Sequence, residues 1–520
     1  MQLIVEATRV PDEEENQSPV VYNAVQVERK PWYKQKGVYV ALGSALIGAA
    51  LAIGFTQGRG TNNNNNNELV TTDEESDTEL ITVPSSSPSQ SLSPTSSPSQ
   101  SLSPTSTLHF KPYGSAVNGK AEMDLLGGGI SLSTDGALQA VSAGQLAGTG
   151  PGYVEAYMWD EDILDYKQFG TTLFGESPGD AFGYSLSASD NLESPYVLAI
   201  GSPFALEKTG MAKVYRYDEI DSAFVQMGDT LYGTNPGDIF GELVDISADG
   251  SVLAIGSSGS DEGVENAGSV YIYKWDEVES SYSLQTSLNG EEVDDEFGFA
   301  FSLSSDGNTL AVGSPKKNSN TGQVKVFTWD EDISDYLERD TLSSGLETDE
   351  FGWSVSLNED GSVLAVGSLQ IDIDSPSDKD VPKSGLVKVY QWNGELSEYT
   401  QRGSTLKGDN NGDDFGTSIA LSDNGETLIV GAPMNDKGEV IADYGQAKVF
   451  IWDASALDYV QLGESLYGES PTNYFGGPVA ISGDGRIISI GAVGNSNNGP
   501  FSGQVTTFVV PTVDDSNSIN

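Results

Sequence analysis

From residue 108 onward the apolar and polar positions follow one pattern, restarted along the chain. Its clearest copy is 297–315, FGFAFSLSSDGNTLAVGSP. Two apolar runs, FGFAFSLS and TLAVGS, flank Asp306-Gly307, and short apolar or alternating runs bounded by turn residues predict strands. Asp-Gly supplies the positive φ angles of a tight hairpin. The same turn recurs as Asp135-Gly136, Asp249-Gly250, Asp360-Gly361, Asn424-Gly425 and Asp484-Gly485. A third strand is predicted over 322–329, GQVKVFTW, which alternates as a half-buried strand does. An acidic turn at 330–335 leads to a fourth, starting at Tyr336.

The equivalents of Phe297 are Leu126, Phe182, Phe240, Phe351, Phe415 and Phe475, spaced 54 to 64 residues apart. A fixed period of this size marks a solenoid, propeller or array. Four antiparallel strands per unit, seven units and no helical periodicity predict an all-β, seven-bladed β-propeller over 108–511.

The two ends of this region complement each other. The last unit stops after its third strand, 503–510, whereas 110–119 aligns with the fourth strand of the first unit at 166–175. Pairing the N-terminal strand with the C-terminal blade closes the ring and removes two exposed edges, which would otherwise invite aggregation.

What precedes the repeats has a different character. Residues 1–36 are polar, with basic Arg29, Lys30, Lys34 and Lys36 near their end. Residues 37–55 carry no charge over 19 positions, about 28 Å as a helix, close to the hydrocarbon thickness of a bilayer. The basic cluster before this span predicts a cytoplasmic N-terminus and a single-pass type II signal anchor. The propeller is then expected outside the cell or in the lumen of the secretory pathway. Residues 56–107 form a stalk that is Asn-rich, then acidic, then Ser/Pro/Thr-rich, with SPSQSLSPTS at 87–96 repeated at 97–106. Such composition buries too little apolar surface to fold. Residues 512–520 are a C-terminal tail.

The charge balance, 25 Lys+Arg against 77 Asp+Glu, argues against nucleic acid, whose phosphates need clustered bases. From residue 108 the count is 65 acids to 19 bases. That surface suits solubility, cations or a basic partner. With no cysteine and one histidine, His109, there is no thiol nucleophile, no Ser-His-Asp triad and no multi-His metal site.

Two repeated features are candidates for chemistry. Two residues before each Phe-Gly stands Asp180, Asp238, Asp295, Asp349 or Asp413, with Asp124 in the first unit and Asn473 in the seventh. On innermost strands these would ring one mouth of the central channel and could hold Ca2+, which takes oxygen ligands. The other reading is a turn in each blade, the side chain bonding backbone N–H groups. Third strands end in Trp159, Tyr217, Trp275, Trp329, Trp392 and Trp452, either a stacking platform for a ligand or packing between blades. The longest connection between second and third strands, 369–384, contains Asp372, Asp374, Asp378 and Asp380 and should lie on the face of the Asp ring. Variable loops on a rigid frame are where binding usually resides.

The paired Phe-Gly and Gly-Ser-Pro signatures resemble the FG-GAP repeat, the blade unit of the integrin α-chain headpiece. Gly431-Ala432-Pro433 reads GAP outright; Gly201-Ser202-Pro203 and Gly313-Ser314-Pro315 are close variants. The resemblance spans 108–511 and implies a seven-bladed propeller engaged in extracellular recognition or adhesion. Calcium-binding copies in that family carry a D-x-D-x-D-G-x-x-D run in the hairpin. Here the matching hairpin around Asp306-Gly307 keeps the Asp before Gly and lacks the other carboxylates, so that calcium role does not carry over.

The expected function is a non-catalytic, membrane-anchored propeller that recognises a protein or glycan through its variable-loop face. Two alternatives remain at this level: a carboxylate-based, glycan-active enzyme, and a calcium-binding structural component of an extracellular matrix or wall.

Overall fold

The computed structural model describes residues 108–511, apart from 147, 190–195, 263, 346–347, 370–383 and 440–441. The predicted tail, apolar stretch and stalk, and Asp372, Asp374, Asp378 and Asp380, lie outside the described residues. Among the described residues no helix is long and apolar enough to cross a membrane.

Among the described residues there are seven antiparallel sheets, six of them with their strands in sequence order from the inside out. Blade 4 shows the plan: Ala300–Leu303, Thr309–Ser314, Gln323–Asp330 and Asp335–Leu342. The first strand of each blade touches the first strand of the next, and the seventh touches the first, so these strands line the axis. The fold is a seven-bladed β-propeller. Its last blade takes its outer strand from the other end of the chain: Lys111 pairs with Val509, and Val117 with Val505.

The second strands, such as Val363–Ser368, are buried along all or nearly all of their length, because both sheet faces pack against neighbouring blades. The core therefore lies between blades. Each cluster draws on two of them, as when Ala311 and Val326 of one pack with Leu364 and Tyr390 of the next.

Glycine makes that approach feasible. The glycine opening each third strand has positive φ and lies against the backbone of the next blade: Gly322 on Phe351, Gly385 on Phe415, Gly503 on Leu126. A Cβ at any of them would overlap backbone N or O atoms. The glycine of each Gly-Ser-Pro-like signature, such as Gly313, meets the next blade's Phe-Gly glycine, here Gly352, in the same way. The two signatures are halves of one contact between blades.

Around the axis the first strands are stitched at one repeating position. Ser131 Oγ accepts from the Ala188 amide at 3.1 Å, Ser302 from Leu357 at 3.0 Å and Ser356 from Leu421 at 3.1 Å. Asp245 serves blade 3 in both directions, accepting from Ser187 Oγ at 2.9 Å and the Leu303 amide at 2.8 Å. Beyond this belt the hairpin backbones bond blade to blade, Ala248 to Ser305, Ser305 to Glu359, Glu359 to Asp423 and Asp423 to Gly483.

One expected boundary moves. The first strand of blade 4 starts at Ala300, three residues after Phe297. The segment 296–299 is a turn, in which the Phe299 amide donates to the Glu296 carbonyl at 3.1 Å.

Candidate functional site

Each repeated aspartate lies where the chain enters an innermost strand, at one mouth of the channel. In Asp124, Asp180, Asp238, Asp295 and Asp413 the carboxylate turns back to the backbone three residues earlier. Asp124 accepts from the Ala121 amide at 2.9 Å, Asp180 from Ser177 at 2.9 Å and Asp238 from Asn235 at 2.8 Å. Asp295 accepts from Glu292 at 2.9 Å and Asp413 from Asn410 at 2.8 Å. The aspartate's own amide donates to the carbonyl of that same residue, so the side chain clamps the turn from the other side. Asp124, Asp238, Asp295, Asp349, Asp413 and Asn473 are all buried, and Asp180 is half-buried. Other partners complete the shells: Tyr153 Oη and Gln145 Nε2 on Asp124, Lys317 Nζ at 2.9 Å on Asp295, Asn435 Nδ2 at 2.8 Å on Asp413. The carboxylates of Asp124, Asp180, Asp238, Asp295 and Asp413 thus each bond their own turn. Among the described residues no three acidic or histidine side chains converge in a metal-holding group.

The residue after each aspartate carries the chemistry that the sequence pattern hid. Leu125, Ala181, Ile239, Glu296, Glu350, Asp414 and Tyr474 all have left-handed backbones, with φ between +49° and +58°. This conformation is rare outside glycine. It recurs here because the Phe that follows must turn into the seam between blades while the chain reverses through the positive-φ glycine. Together with the residues three positions later, these side chains line the mouth.

That lining is divided. On the side of blades 7, 1 and 2 it is apolar: Tyr474, Leu125, Ala181 and Tyr184 form one buried cluster with Leu146 and Val493. On the side of blades 3 to 6 stand Glu242, Glu296, Glu350 and Asp414. Burial pushes Asp414 up to about 7, with Asp413, Asp443 and Glu350 adding to it. Burial likewise takes Glu242 to about 7, against the stabilising bond from Ser258 Oγ. Glu296 rises to about 6, through burial first, opposed by Lys316 and reinforced by Glu350. Glu350 is fully buried; burial raises it, and its ion pair with Lys316 draws it back down. Its Oε2 atom is buried with no hydrogen-bond partner. The four acids form an arc in which each feels the next, and burial with mutual repulsion favours their protonated forms.

Aromatic rings back the arc. Phe299 and Trp353 lie with centroids 4.9 Å apart, and Lys316 Nζ is 5.6 Å from the Trp353 centroid. Leu369, where the longest connection departs, is buried against both rings. That connection therefore leaves from the acidic side of the mouth. The loop bearing Lys316 and Lys317 passes through three successive left-handed residues, Asn318, Ser319 and Asn320.

The repeated third-strand aromatics lie between blades. Tyr113 stacks on Trp159 at 3.7 Å and Phe169 on Tyr217 at 4.0 Å. Arg339 lies over Trp392 and Arg402 over Trp452, with Cζ 3.5 and 4.3 Å from the ring centroids.

No protein-family profile matches the chain, and no curated protein matches it. Among solved structures it is similar to a hydrazine synthase chain of Kuenenia stuttgartiensis, with 14% identity, 77% of this chain and 98% of that one covered, and a TM-score of 0.48. It is also similar to a putative 6-phosphogluconolactonase of Bacteroides fragilis, with 14% identity, 66% and 85% covered, and a TM-score of 0.45. A protein from Lactobacillus plantarum has 15% identity over 66% of this chain and 85% of its own, with a TM-score of 0.43. At these scores the likenesses carry no argument about function.

Proposed function

We propose that this chain is a recognition propeller of the FG-GAP type, held at a membrane by residues 37–55, raised on the stalk 56–107, and non-catalytic. Its partner is a protein or glycan presenting cationic or hydrogen-bond-donating groups next to an apolar patch. The observation that carries the reading is the divided mouth, an arc of Glu242, Glu296, Glu350 and Asp414 facing an apolar half. A rigid ring with a chemically two-sided opening is an arrangement for binding.

Binding of a cation in the arc favours the ionised carboxylates, so it must release protons near neutral pH. The test is calorimetric titration of the purified chain with a lysine-rich peptide, in buffers of different ionisation enthalpy. Proton release that disappears in Glu242→Gln/Asp414→Asn supports the reading. Binding with no proton release, or release unchanged in that variant, removes the arc from it.

The raised carboxyls also favour a second reading, a glycan-active enzyme in which Glu242 or Asp414 serves as a general acid near neutral pH. A polysaccharide screen separates the two. Turnover abolished by either single substitution selects the enzyme.

A further inference from the structure

On the face opposite the divided mouth, six of the seven seams between blades offer the same slot, the seventh having Val510 at the aromatic position. Its floor is the third-strand aromatic of one blade, and a fourth-strand residue of the preceding blade reaches over it. Tyr113, Phe169, Arg339 and Arg402 fill it by stacking, and Met227 packs in the cluster that holds Trp275. The seam between blades 3 and 4 departs from this. The residue at the filling position is Gln285, which is exposed, and its amide is bonded back to Ser283 of its own strand, at 3.1 Å to Oγ. Above Trp329 a cavity of about 230 Å³ is left, walled by Val252, Tyr273 and Tyr336 and rimmed by Lys274, Asp306, Asn308 and Glu331.

We infer that this open slot is a binding site for an arginine side chain presented by a partner protein. Elsewhere in the molecule the slot takes Tyr113, Phe169 and Met227 as well as two arginines, and of these only arginine also carries donors for the rim. In the next two seams the occupant is a guanidinium, and the aromatic cradle is the same. Trp329 and Tyr336 have centroids 5.3 Å apart at 66°, against 5.3 Å and 62° for Trp392 and Tyr399, and 5.2 Å and 61° for Trp452 and Tyr459. The cradle is therefore formed before any partner arrives, which keeps the ordering cost of binding low. A planar guanidinium both stacks on indole and donates from its edge, which an ammonium cannot match.

The donor side is also provided. Arg402 Nη1 lies 3.4 Å from the carbonyl of Gly425, the hairpin glycine of blade 6. The corresponding carbonyl here is that of Gly307, flanked by the carboxylates of Asp306 and Glu331. Asp306 is kept ionised by bonds from Ser304 Oγ and from the amide and side chain of Asn308. Lys274, on an exposed side chain, holds its Nζ over Trp329 at 5.9 Å from the ring centroid, and an incoming guanidinium would displace it. Because the slot and the divided mouth open on opposite faces, the two sites do not compete for space. This inference does not depend on the function proposed for the mouth.

The decisive variant is Gln285→Arg, which lets the chain fill its own slot as Arg339 and Arg402 do. Affinities of nona-arginine and nona-lysine for the full chain are compared at fixed, near-physiological ionic strength, so that the acidic surface contributes about equally to both. The wild type is expected to prefer nona-arginine by about fivefold. Gln285→Arg should melt no lower than wild type and lose the preference, and Trp329→Leu should lose it as well. Equal affinity for the two peptides in the wild type overturns the inference. So does a preference that survives in Gln285→Arg. A neutral oligosaccharide bound by the wild type and expelled by Gln285→Arg would give the slot to a sugar ring and equally overturn it.

Discussion

The Cα atom of Gly322 faces the peptide backbone of Phe351 so closely that any side chain there would overlap the Phe351 amide nitrogen and carbonyl oxygen. Gly322 also has a φ of +78°. Gly322→Ala should therefore cost more than about 3 kcal/mol, the sum of backbone strain and a forced separation of two blades. Gly412, at φ +84° with open space for 4 Å around the position a methyl group would take, serves as the control. Gly412→Ala should cost only about 1 kcal/mol. Denaturant midpoints of the two variants check the difference, and equal losses would refute the seam argument.

The acids of the mouth fix a pH dependence. Asp414 rises from 3.8 and Glu242 from 4.5, each to about 7. Between those limits the folded chain holds more protons than the unfolded one, so their contribution is full at low pH and is lost as pH rises through about 7. Asp249, Asp306 and Asp360 are lowered by hydrogen bonds, and their contribution disappears on acidification instead. The melting temperature should thus be highest in mildly acid solution and fall by a few degrees by about pH 8. Glu242→Gln/Asp414→Asn should flatten that fall. A melting temperature that rises over the same range would contradict the assignment.

The turn aspartates predict a small effect of calcium. Asp238 accepts amides from both Thr234 and Asn235, so Asp238→Ala should lose about 1–2 kcal/mol, while Asp238→Asn, the residue blade 7 carries as Asn473, should lose less. Adding calcium at constant ionic strength should give wild type and Asp238→Asn the same shift in melting temperature. A rise present in wild type and absent in the variant would restore the metal ring.

Ring closure has its own consequence. Removing 108–119 strips Lys111–Pro112 and Val117–Asn118 from Gln504–Val509 and leaves an open sheet edge on blade 7. The expected result is loss of the single cooperative melt together with concentration-dependent association, read by calorimetry and light scattering. A monomeric chain with an unchanged melt would show that closure contributes little.

A repeated tyrosine latch should behave additively. Tyr166, Tyr282 and Tyr459 each donate at 2.6 Å to the hairpin glycine carbonyl of their own blade, and Tyr336 and Tyr399 make the same bond. Tyr282→Phe and Tyr459→Phe, in separate blades, should each cost about 1 kcal/mol and sum in the double variant. Urea midpoints that show strong coupling between them would mean that the blades do not act as separate units here.

The repeat, the strand pattern, the Asp306-Gly307 hairpins and the closure by 110–119 were all legible in the sequence, because each follows from local chemistry: alternation, positive-φ turns and the match of one strand to its copies. The aspartates at 124, 180, 238, 295 and 413 were visible too, but their direction was not, since a carboxylate before a strand can face the channel or its own turn. Only the tertiary structure decided between these. It placed the left-handed residue before each Phe, among them Glu296, Glu350 and Asp414, at the mouth, and turned the carboxylates of Asp295 and Asp413 onto their own turns. It also left Trp329 open while its counterparts are covered, because the covering group comes from the preceding blade. Seams and axis exist only where blades meet, so which recurring side chains line the mouth and which slot stays open depends on the neighbouring blade.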